Sequence, residues 1–264
     1  MTHSSSRADI EVVVLGSGTS HGIPMIGCEC AVCTSPNPRD RRTRPSIYVR
    51  YDELRLLVDT ATELRLQCVA NGISHVDAVL FTHHHADHVA GLDDLRRFNH
   101  STRAPVPLYG TERTLTGIRK MFAYAFDAPP ADSPHSRPNI TLHPISDEPF
   151  EIGGRTITPI SLIHGKMPVL GYRFGRFAYC TDCSEIPESS FDRLRGLDVL
   201  ILDALRRDSH PAHFNLQQAV SAARRIGARR TYFTHMAHQL KHAETNAELP
   251  SGMELAYDGL RFFV

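Results

Sequence analysis

The stretch Thr82-His83-His84-His85-Ala86-Asp87-His88 decides how this chain is read. It follows a β-branched run, Val76 to Thr82, that reads as a buried strand, and it precedes a helical pattern from Val89 to Phe98. On extended backbone, side chains two apart leave on the same side, so His83 and His85 face one space. Asp87 and His88 stand at the turn into the helix and aim at that same space. His84 points the other way and is left out of the ligand set. Three imidazoles and a carboxylate within six residues are more than one metal ion needs from a single loop. The spacing suits two adjacent metals, each taking part of the cluster. A solvent-exposed histidine run would be the bland alternative, but this run is internal and flanked by a buried strand.

The neighbouring sequence alternates in blocks. Ile10 to Leu15 reads as a strand, followed by the Gly-rich turn Gly16-Ser17-Gly18-Thr19-Ser20 and a loop-like region from 21 to 44. Pro45 to Tyr51 and Leu54 to Asp59 read as a hairpin turning at Asp52-Glu53, and Ala61 to Ala70 as a helix ended by Asn71-Gly72. Val106 to Tyr109 is a strand, Glu112 to Phe126 a helix, and 127 to 138, with four prolines, a loop or flap. Strands follow at 140–145, 150–152, 155–163, 169–174 and 176–181. Then come a short helix from Pro187 to Leu194, a strand at Val199 to Asp203, a helix at Leu216 to Ile226 and a strand at Arg230 to Thr234. Residues 253 to 264 read as a closing hairpin around Asp258-Gly259. Strands come in runs within each half, unlike the strict alternation of a doubly wound fold. The pattern fits two β-rich halves packed sheet on sheet with helices outside. One domain is expected over 1–264, with 1–9 as a polar tail.

Composition narrows the class. A chain of 264 residues buries a core without disulfide staples. A hydrophobic fraction of 41% with 22% charged residues excludes wholesale disorder. The 29 basic and 29 acidic residues balance, so charge alone calls for no nucleic-acid or anionic-membrane partner. No apolar run approaches the ~20 residues of a membrane span. The N-terminus lacks the apolar region of a secretion signal, so a cytoplasmic location is expected. In that setting clustered cysteines suggest metal or catalysis more than disulfides. Cys28, Cys30 and Cys33 lie within six residues and suit one soft cation. His238 is the candidate fourth ligand of a Cys3His site. Cys180 and Cys183 form a C-x-x-C, read either as a redox or metal pair or as two small buried side chains. The run Arg39-Asp40-Arg41-Arg42-Thr43-Arg44 either recognises a second, terminal phosphate or is a solvated loop pairing with nearby acids.

His-x-His-x-Asp-His after a strand resembles the signature of the metallo-β-lactamase superfamily. The resemblance implies an α+β four-layer αββα sandwich, the metallo-β-lactamase fold. It continues in chain order through Asp59, His164, Asp182 and His235, each closing a strand-like run. By that resemblance His83, His85 and His164 hold one metal, Asp87, His88 and His235 the other, and Asp182 bridges them. Asp59 supports a ligand histidine from behind. Gly-Cys-x-Cys-x-x-Cys with Thr-His-x-x-His near the C-terminus resembles one subgroup, the phosphoribosyl cyclic phosphodiesterase of the bacterial carbon–phosphorus lyase pathway and its relatives. Gly16-Ser17-Gly18-Thr19, Leu249-Pro250-Ser251-Gly252 and Tyr257-Asp258-Gly259 also match, so the resemblance spans about residue 10 to 264. It implies a structural zinc on Cys28, Cys30, Cys33 and His238, and two divalent ions, zinc or manganese, in the active site. It places Asp87 and His213 among the catalytic residues, His213 over the substrate phosphate, and it implies a homodimer. The expected reaction is hydrolysis of a small cyclic phosphodiester, phosphoribosyl 1,2-cyclic phosphate for preference, by hydroxide shared between the two metals. Alternatives are a tRNA 3'-processing-type endonuclease, a lactone, thioester or β-lactam hydrolase, and a cofactor-biosynthesis relative that keeps only the fold. No long RNA-gripping insert is present, no nucleic-acid or membrane partner is expected, and every ligand position is filled.

Overall fold

The computed structural model describes residues 10–126 and 136–264. The polar stretch 1–9 and most of the proline-rich flap, 127–135, lie outside the described residues. The first half supplies β1 (Ile10–Gly16), β2 (Ser46–Tyr51), β3 (Leu54–Val58), β4 (Ala78–Leu80), β5 (Val106–Gly110) and β6 (Ile140–Pro144). Its helices are α1 (Leu64–Asn71), α2 (Ala86–Val89), α3 (Arg96–Thr102), α4 (Glu112–Met121) and α5 (Ala123–Phe126). The second half supplies β7 (Phe150–Ile152), β8 (Arg155–His164), β9 (Met167–Phe174), β10 (Phe177–Cys180), β11 (Val199–Asp203), β12 (Arg230–Thr234) and β13 (Met253–Leu255). Its helices are α6 (Glu188–Phe191), α7 (Leu216–Ile226) and α8 (His242–Glu248), and the last strand is β14 (Arg261–Phe263).

Two mixed sheets result, ordered β14-β1-β2-β3-β4-β5-β6 and β13-β12-β11-β10-β9-β8-β7. The strand sequences explain the four layers. Successive side chains face opposite sides, and here both sides are apolar. Val12, Val14, Leu56, Val58, Ala78 and Leu80 point into the core between the sheets. Val13, Leu15, Leu57, Val79 and Phe81 point outward onto Leu64, Leu95, Phe98, Leu115 and Ile118. Each fully buried side chain of this kind contributes roughly 1.5–3 kcal/mol. Strands β3 to β6 and β10 to β13 run parallel within their sheets, and parallel neighbours need crossovers, which the helices provide. The strand ends therefore gather at one edge of the sandwich. No helix among the described residues is long and apolar enough to cross a membrane.

Three local expectations are corrected. The helix expected over Val89–Phe98 is α2, a 3-10 turn at Leu92–Leu95 and α3. The break falls at Gly91, whose N–H donates to the Thr60 carbonyl and where a Cβ would sit 2.1 Å from the Ala61 carbonyl oxygen. Leu92, Leu95 and Phe98 still bury on one side, which is why the pattern reads as continuous. The helix at Glu112–Phe126 breaks at Phe122. The closing hairpin does not form: β13 pairs with β12, and β14 crosses to pair with β1 in the other sheet. Asp258, expected as a hairpin turn residue, instead accepts from the N–H and hydroxyl of both Ser17 and Thr43. Helix α8 has no local sequence signal because its cap is remote. The N–H of His242 donates to Asp40 Oδ1 at 2.7 Å, across 202 residues of chain.

The Gly16-Ser17-Gly18 turn exists to let another backbone approach. A Cβ on Gly16 would sit 1.9 Å from the Arg44 carbonyl oxygen, and one on Gly18 2.8 Å from that of Arg42. Gly16→Ala is expected to destabilise by about 1–3 kcal/mol, the usual cost of overpacking. An exposed control, Val69→Ala, should stay within about 0.5 kcal/mol in the same urea titration. Equal midpoints for the two variants would refute the close-approach account.

Candidate metal centre

The strand ends deliver the polar side chains that the sequence singled out. Asp59 follows β3, His83 and His85 follow β4, and His164 ends β8 at the tip of the β8–β9 turn. Asp182 follows β10, Asp203 ends β11 and His235 follows β12. Asp87 and His88 lie in α2. One ligand atom each from His83, His85, His164 and Asp182 falls within 4.8 Å of the others, and so does one each from Asp87, His88, Asp182 and His235. Asp182 belongs to both sets. Its Oδ1 lies 3.2 Å from Nε2 of His88 and of His235, and its Oδ2 lies 3.7 Å from Nε2 of His83. His84 faces elsewhere: its ring packs where a side chain on Gly117 would be.

The supporting hydrogen bonds fix which nitrogen is free. Asp59 is fully buried and accepts from the Thr82 N–H at 2.8 Å, the Thr82 hydroxyl at 2.9 Å and His88 Nδ1–H at 2.7 Å. His164 Nδ1–H donates to the Ala212 carbonyl at 2.7 Å. With Nδ1 occupied, Nε2 of each ring is left for the cleft, the arrangement that orients metal-binding histidines. Nε2 of His83 and of His88 is buried with no hydrogen-bond partner among the described residues. Such atoms are costly unless something else meets them. The donor set fits divalent cations with mixed nitrogen and oxygen ligation.

The electrostatics point the same way. Among the described residues, the ion-pair partners of Asp59, Asp87, Asp182 and Asp203 are all histidines. Burial pushes Asp59 and Asp203 above the usual carboxylate range. For Asp87, burial is outweighed by His88 and His235, which hold the carboxyl well below that range. Burial opposes a charge on His88, yet Asp182, Asp87 and Asp59 together drive its imidazole well above its ordinary value. The cluster attracts positive charge, and a proton on His88 or a metal cation meets the same field.

Asp203 is a site residue that the motif reading missed. It is fully buried, accepts from the Phe214 N–H at 3.1 Å, and stands 3.3 Å from His213 Nδ1 and 3.6 Å from His235 Nδ1. The available signal was an aspartate closing an all-buried strand, as Asp59 follows β3. His213 itself is buried, stacked on His235 with ring centroids 4.6 Å apart. Three of these residues also occupy left-handed backbone: Asp59 at φ 63°, Asp182 at 54° and His235 at 61°. Strain of this kind, about 1–3 kcal/mol each, gathers at functional sites.

A second cluster stands beside the first. Cys28, Cys30 and Cys33 have their sulfurs 3.2, 3.5 and 3.8 Å from His238 Nδ1. The Cys33 N–H holds the Cys30 thiol down at about 6, a thiolate-favouring setting, while burial pushes Cys33 up to about 11. Among the described residues the apolar support here is Ile23, Val32 and Cys33, with Met25, Cys28 and Cys30 packed on them. Four soft and borderline ligands around so small a core fit a structural zinc. Cys180 and Cys183 join no such cluster among the described residues. Both are fully buried in the core between the sheets, which favours the packing reading. The arginine run is also accounted for locally. Arg42 is buried and donates to the carbonyls of Ala237 and Leu240. Arg44 pairs with Glu63, and Arg39 lies over the Tyr257 ring.

Two outcomes are expected. Asp59→Asn should weaken metal affinity by about 10–100-fold in chelator competition, because an amide with one oxygen cannot accept from the Thr82 N–H on one side and from His88 on the other. Unchanged affinity would remove Asp59 from its supporting role. Treatment with a strong zinc chelator should raise amide exchange first across 21–44 and 236–242, because a metal held by four ligands from these loops would couple its binding to their folding. Protection lost evenly over both sheets would contradict a local structural metal.

With this geometry in place, comparison with known proteins is direct. Residues 54–236 match the Beta-lactamase superfamily domain. A crystal structure of a new diphosphatase from the PhnP family superposes with a TM-score of 0.91, at 45% identity over 97% of each chain. An octanoyltransferase of Porphyromonas gingivalis is 35% identical over 96% of this chain, which spans only about half of that protein, 51%. Coenzyme PQQ synthesis protein B of Methylobacterium radiotolerans is 30% identical over 74% of this chain and 72% of its own length. The family match covers well over half of the chain and takes in both histidine–aspartate sets, and the protein belongs to the metallo-β-lactamase superfamily of metal-dependent hydrolases.

Proposed function

We infer that this chain hydrolyses small phosphodiesters, a cyclic ribosyl phosphate for preference, at a dinuclear centre on His83, His85, His164, Asp87, His88, Asp182 and His235. The observation that carries it is Asp182, one buried carboxylate with an oxygen facing each histidine set. When bound, two divalent ions there supply Lewis acidity and lower the pKa of water toward ~7. The chain's own side chains do the rest. His88, His164 and His83 present Nε2 from rings held by Asp59, Ala212 and Thr82. The cleft wall places His213 beside His164 and His235. Asp203 holds His213 Nδ1, so Nε2 is the atom that would take the proton released by the attacking water and pass it to the leaving sugar oxygen. The second cluster, on Cys28, Cys30, Cys33 and His238, holds a structural zinc in this reading.

Similarity supports phosphorus over the alternatives. The match to the diphosphatase, 45% over nearly the whole chain, exceeds the 30% over three quarters shared with the PQQ synthesis protein. The acyltransferase named above is matched over half its length, which carries no acyl-transfer reading to this chain.

Metal content and hydrolysis should be measured together. About three divalent ions per chain are expected, with turnover of bis(p-nitrophenyl) phosphate. Asp87→Ala should lower that turnover by at least ~100-fold, the range lost with a key electrostatic group. Hydrolysis of a lactone or a β-lactam alone would leave the fold standing and overturn the phosphodiesterase assignment. His213→Ala should reduce turnover by about 100–10,000-fold, the range of general acid–base catalysis, and should do so least for a substrate with a p-nitrophenolate leaving group.

A further inference from the structure

A cavity of about 670 Å³ opens between α1 and α3, on the outward side of the first sheet. None of the metal-site residues lines it. Small-molecule sites typically enclose roughly 300–1,000 Å³. Leu64, Arg65, Cys68 and Val69 share one face of α1 by their spacing and form one wall. Arg97, Phe98 and Ser101 of α3 form another. Leu64, Cys68 and Phe98 are buried members of the outer core, so the floor is apolar. Burial pushes the Cys68 thiol up to about 12, so it stays neutral and serves as wall, not as nucleophile or metal ligand. Close-packed interiors leave few such voids. Here Cys68, Ser74 and Ser101 are too short to fill the space that they line.

The rim is cationic. The guanidiniums of Arg65, Arg96 and Arg97 line the cavity against a single carboxylate, that of Asp94. Arg96 is paired with Asp93 at 3.3 Å. Arg65 and Arg97 form no ion pair among the described residues, and both are exposed. We propose that this cavity binds a soluble amphipathic carboxylate, an acyl chain of medium length. The chain lies on Leu64, Cys68 and Phe98, and the head meets Arg65 and Arg97. A planar guanidinium takes carboxylate oxygens in pairs. Charge complementarity selects an anion, because a neutral or cationic amphiphile leaves both guanidiniums without a partner. Shape selects a single chain over a bilayer: the apolar floor is recessed, whereas a membrane-binding face presents its apolar groups outward. The site is separate from the hydrolytic reaction and independent of its substrate.

Calorimetric titration of the metal-loaded full chain with sodium decanoate, kept below its micelle concentration, tests this. One decanoate per chain should bind. Butyrate should bind at least ~100-fold more weakly, because its chain cannot cover the apolar floor. Replacing Arg65→Gln and Arg97→Gln together should weaken decanoate by about 10–100-fold, as expected for lost charged hydrogen bonds, and leave decanol binding unchanged. Ser101 is exposed, so Ser101→Trp should keep its thermal midpoint while blocking the cavity and abolishing decanoate binding. No decanoate binding, or equal binding by wild type and the double arginine variant, overturns the site. Decanoate held by the active-site metals would be matched by butyrate and untouched by Ser101→Trp, which also overturns it. So would adsorption to phosphatidylglycerol vesicles without decanoate binding, which assigns the face to a membrane. A dimer that Ser101→Trp dissociates and that excludes decanoate would show a second copy in the cavity, and the proposal would fail.

Discussion

Taking a carboxylate out of water costs several kcal/mol unless charge or hydrogen bonds replace what is lost. This fold buries Asp59, Asp87, Asp182 and Asp203 around a single cleft. Much of the surrounding structure follows from meeting that cost. Thr82 gives Asp59 two donors, Phe214 gives Asp203 its backbone N–H, and the histidines supply the remainder. Each carboxylate is delivered by a different strand or helix, so the sandwich has to be assembled before the charges meet. A single strand out of register would leave one of them unpartnered in a low-dielectric interior, where its penalty is largest.

The loops around the cysteine cluster are governed by a different balance. They enclose only a few apolar side chains, too few to hold nearly thirty residues of irregular chain. Polar ties take over. Arg42 reaches the carbonyls of Ala237 and Leu240, its guanidinium drawn down to about 10 by burial, with Asp40 beside it at 3.5 Å. Asp40 in turn accepts from Ser35 and caps α8. Met236 bonds through its N–H to Ser17 and through its carbonyl to Thr19. The segment that carries His235 is thus clamped on the Gly-rich turn on one side and on the cysteine loop on the other.

What the chain discloses without coordinates follows from how local each signal is. The two-sheet architecture is legible because alternate residues of β1, β3 and β4 are apolar on both faces. The two histidine–aspartate sets are legible because His83 to His88 form one motif after a strand and His164, Asp182 and His235 each close a strand-like run, in an order that matches a known superfamily. Signals that depend on contacts remote in sequence are not. Gly91 breaks a helical pattern only because Ala61 lies against it. Helix α8 starts where Asp40 caps it, and β14 joins the first sheet because Asp258 is anchored on Ser17 and Thr43. Asp203 closes a strand-like run but belongs to no motif, and its contacts with His213 and His235 give it its place in the site. The arginine run shows the converse: its charge pattern left a phosphate ligand and a loop pairing with acids equally open, and in the fold Arg42 and Arg44 fasten loops.

The left-handed backbone at Asp59, Asp182 and His235 limits which residues evolution or an engineer can place there. Glycine tolerates that conformation, and aspartate, asparagine and histidine enter it several times more readily than other residues. Glutamate and cysteine also coordinate metals, yet they carry no such tolerance. At these three positions the menu of usable ligands is therefore written by torsion angles as much as by coordination chemistry. An alanine there removes a polar group and imposes a poorly tolerated side chain at once, whereas asparagine separates the two effects.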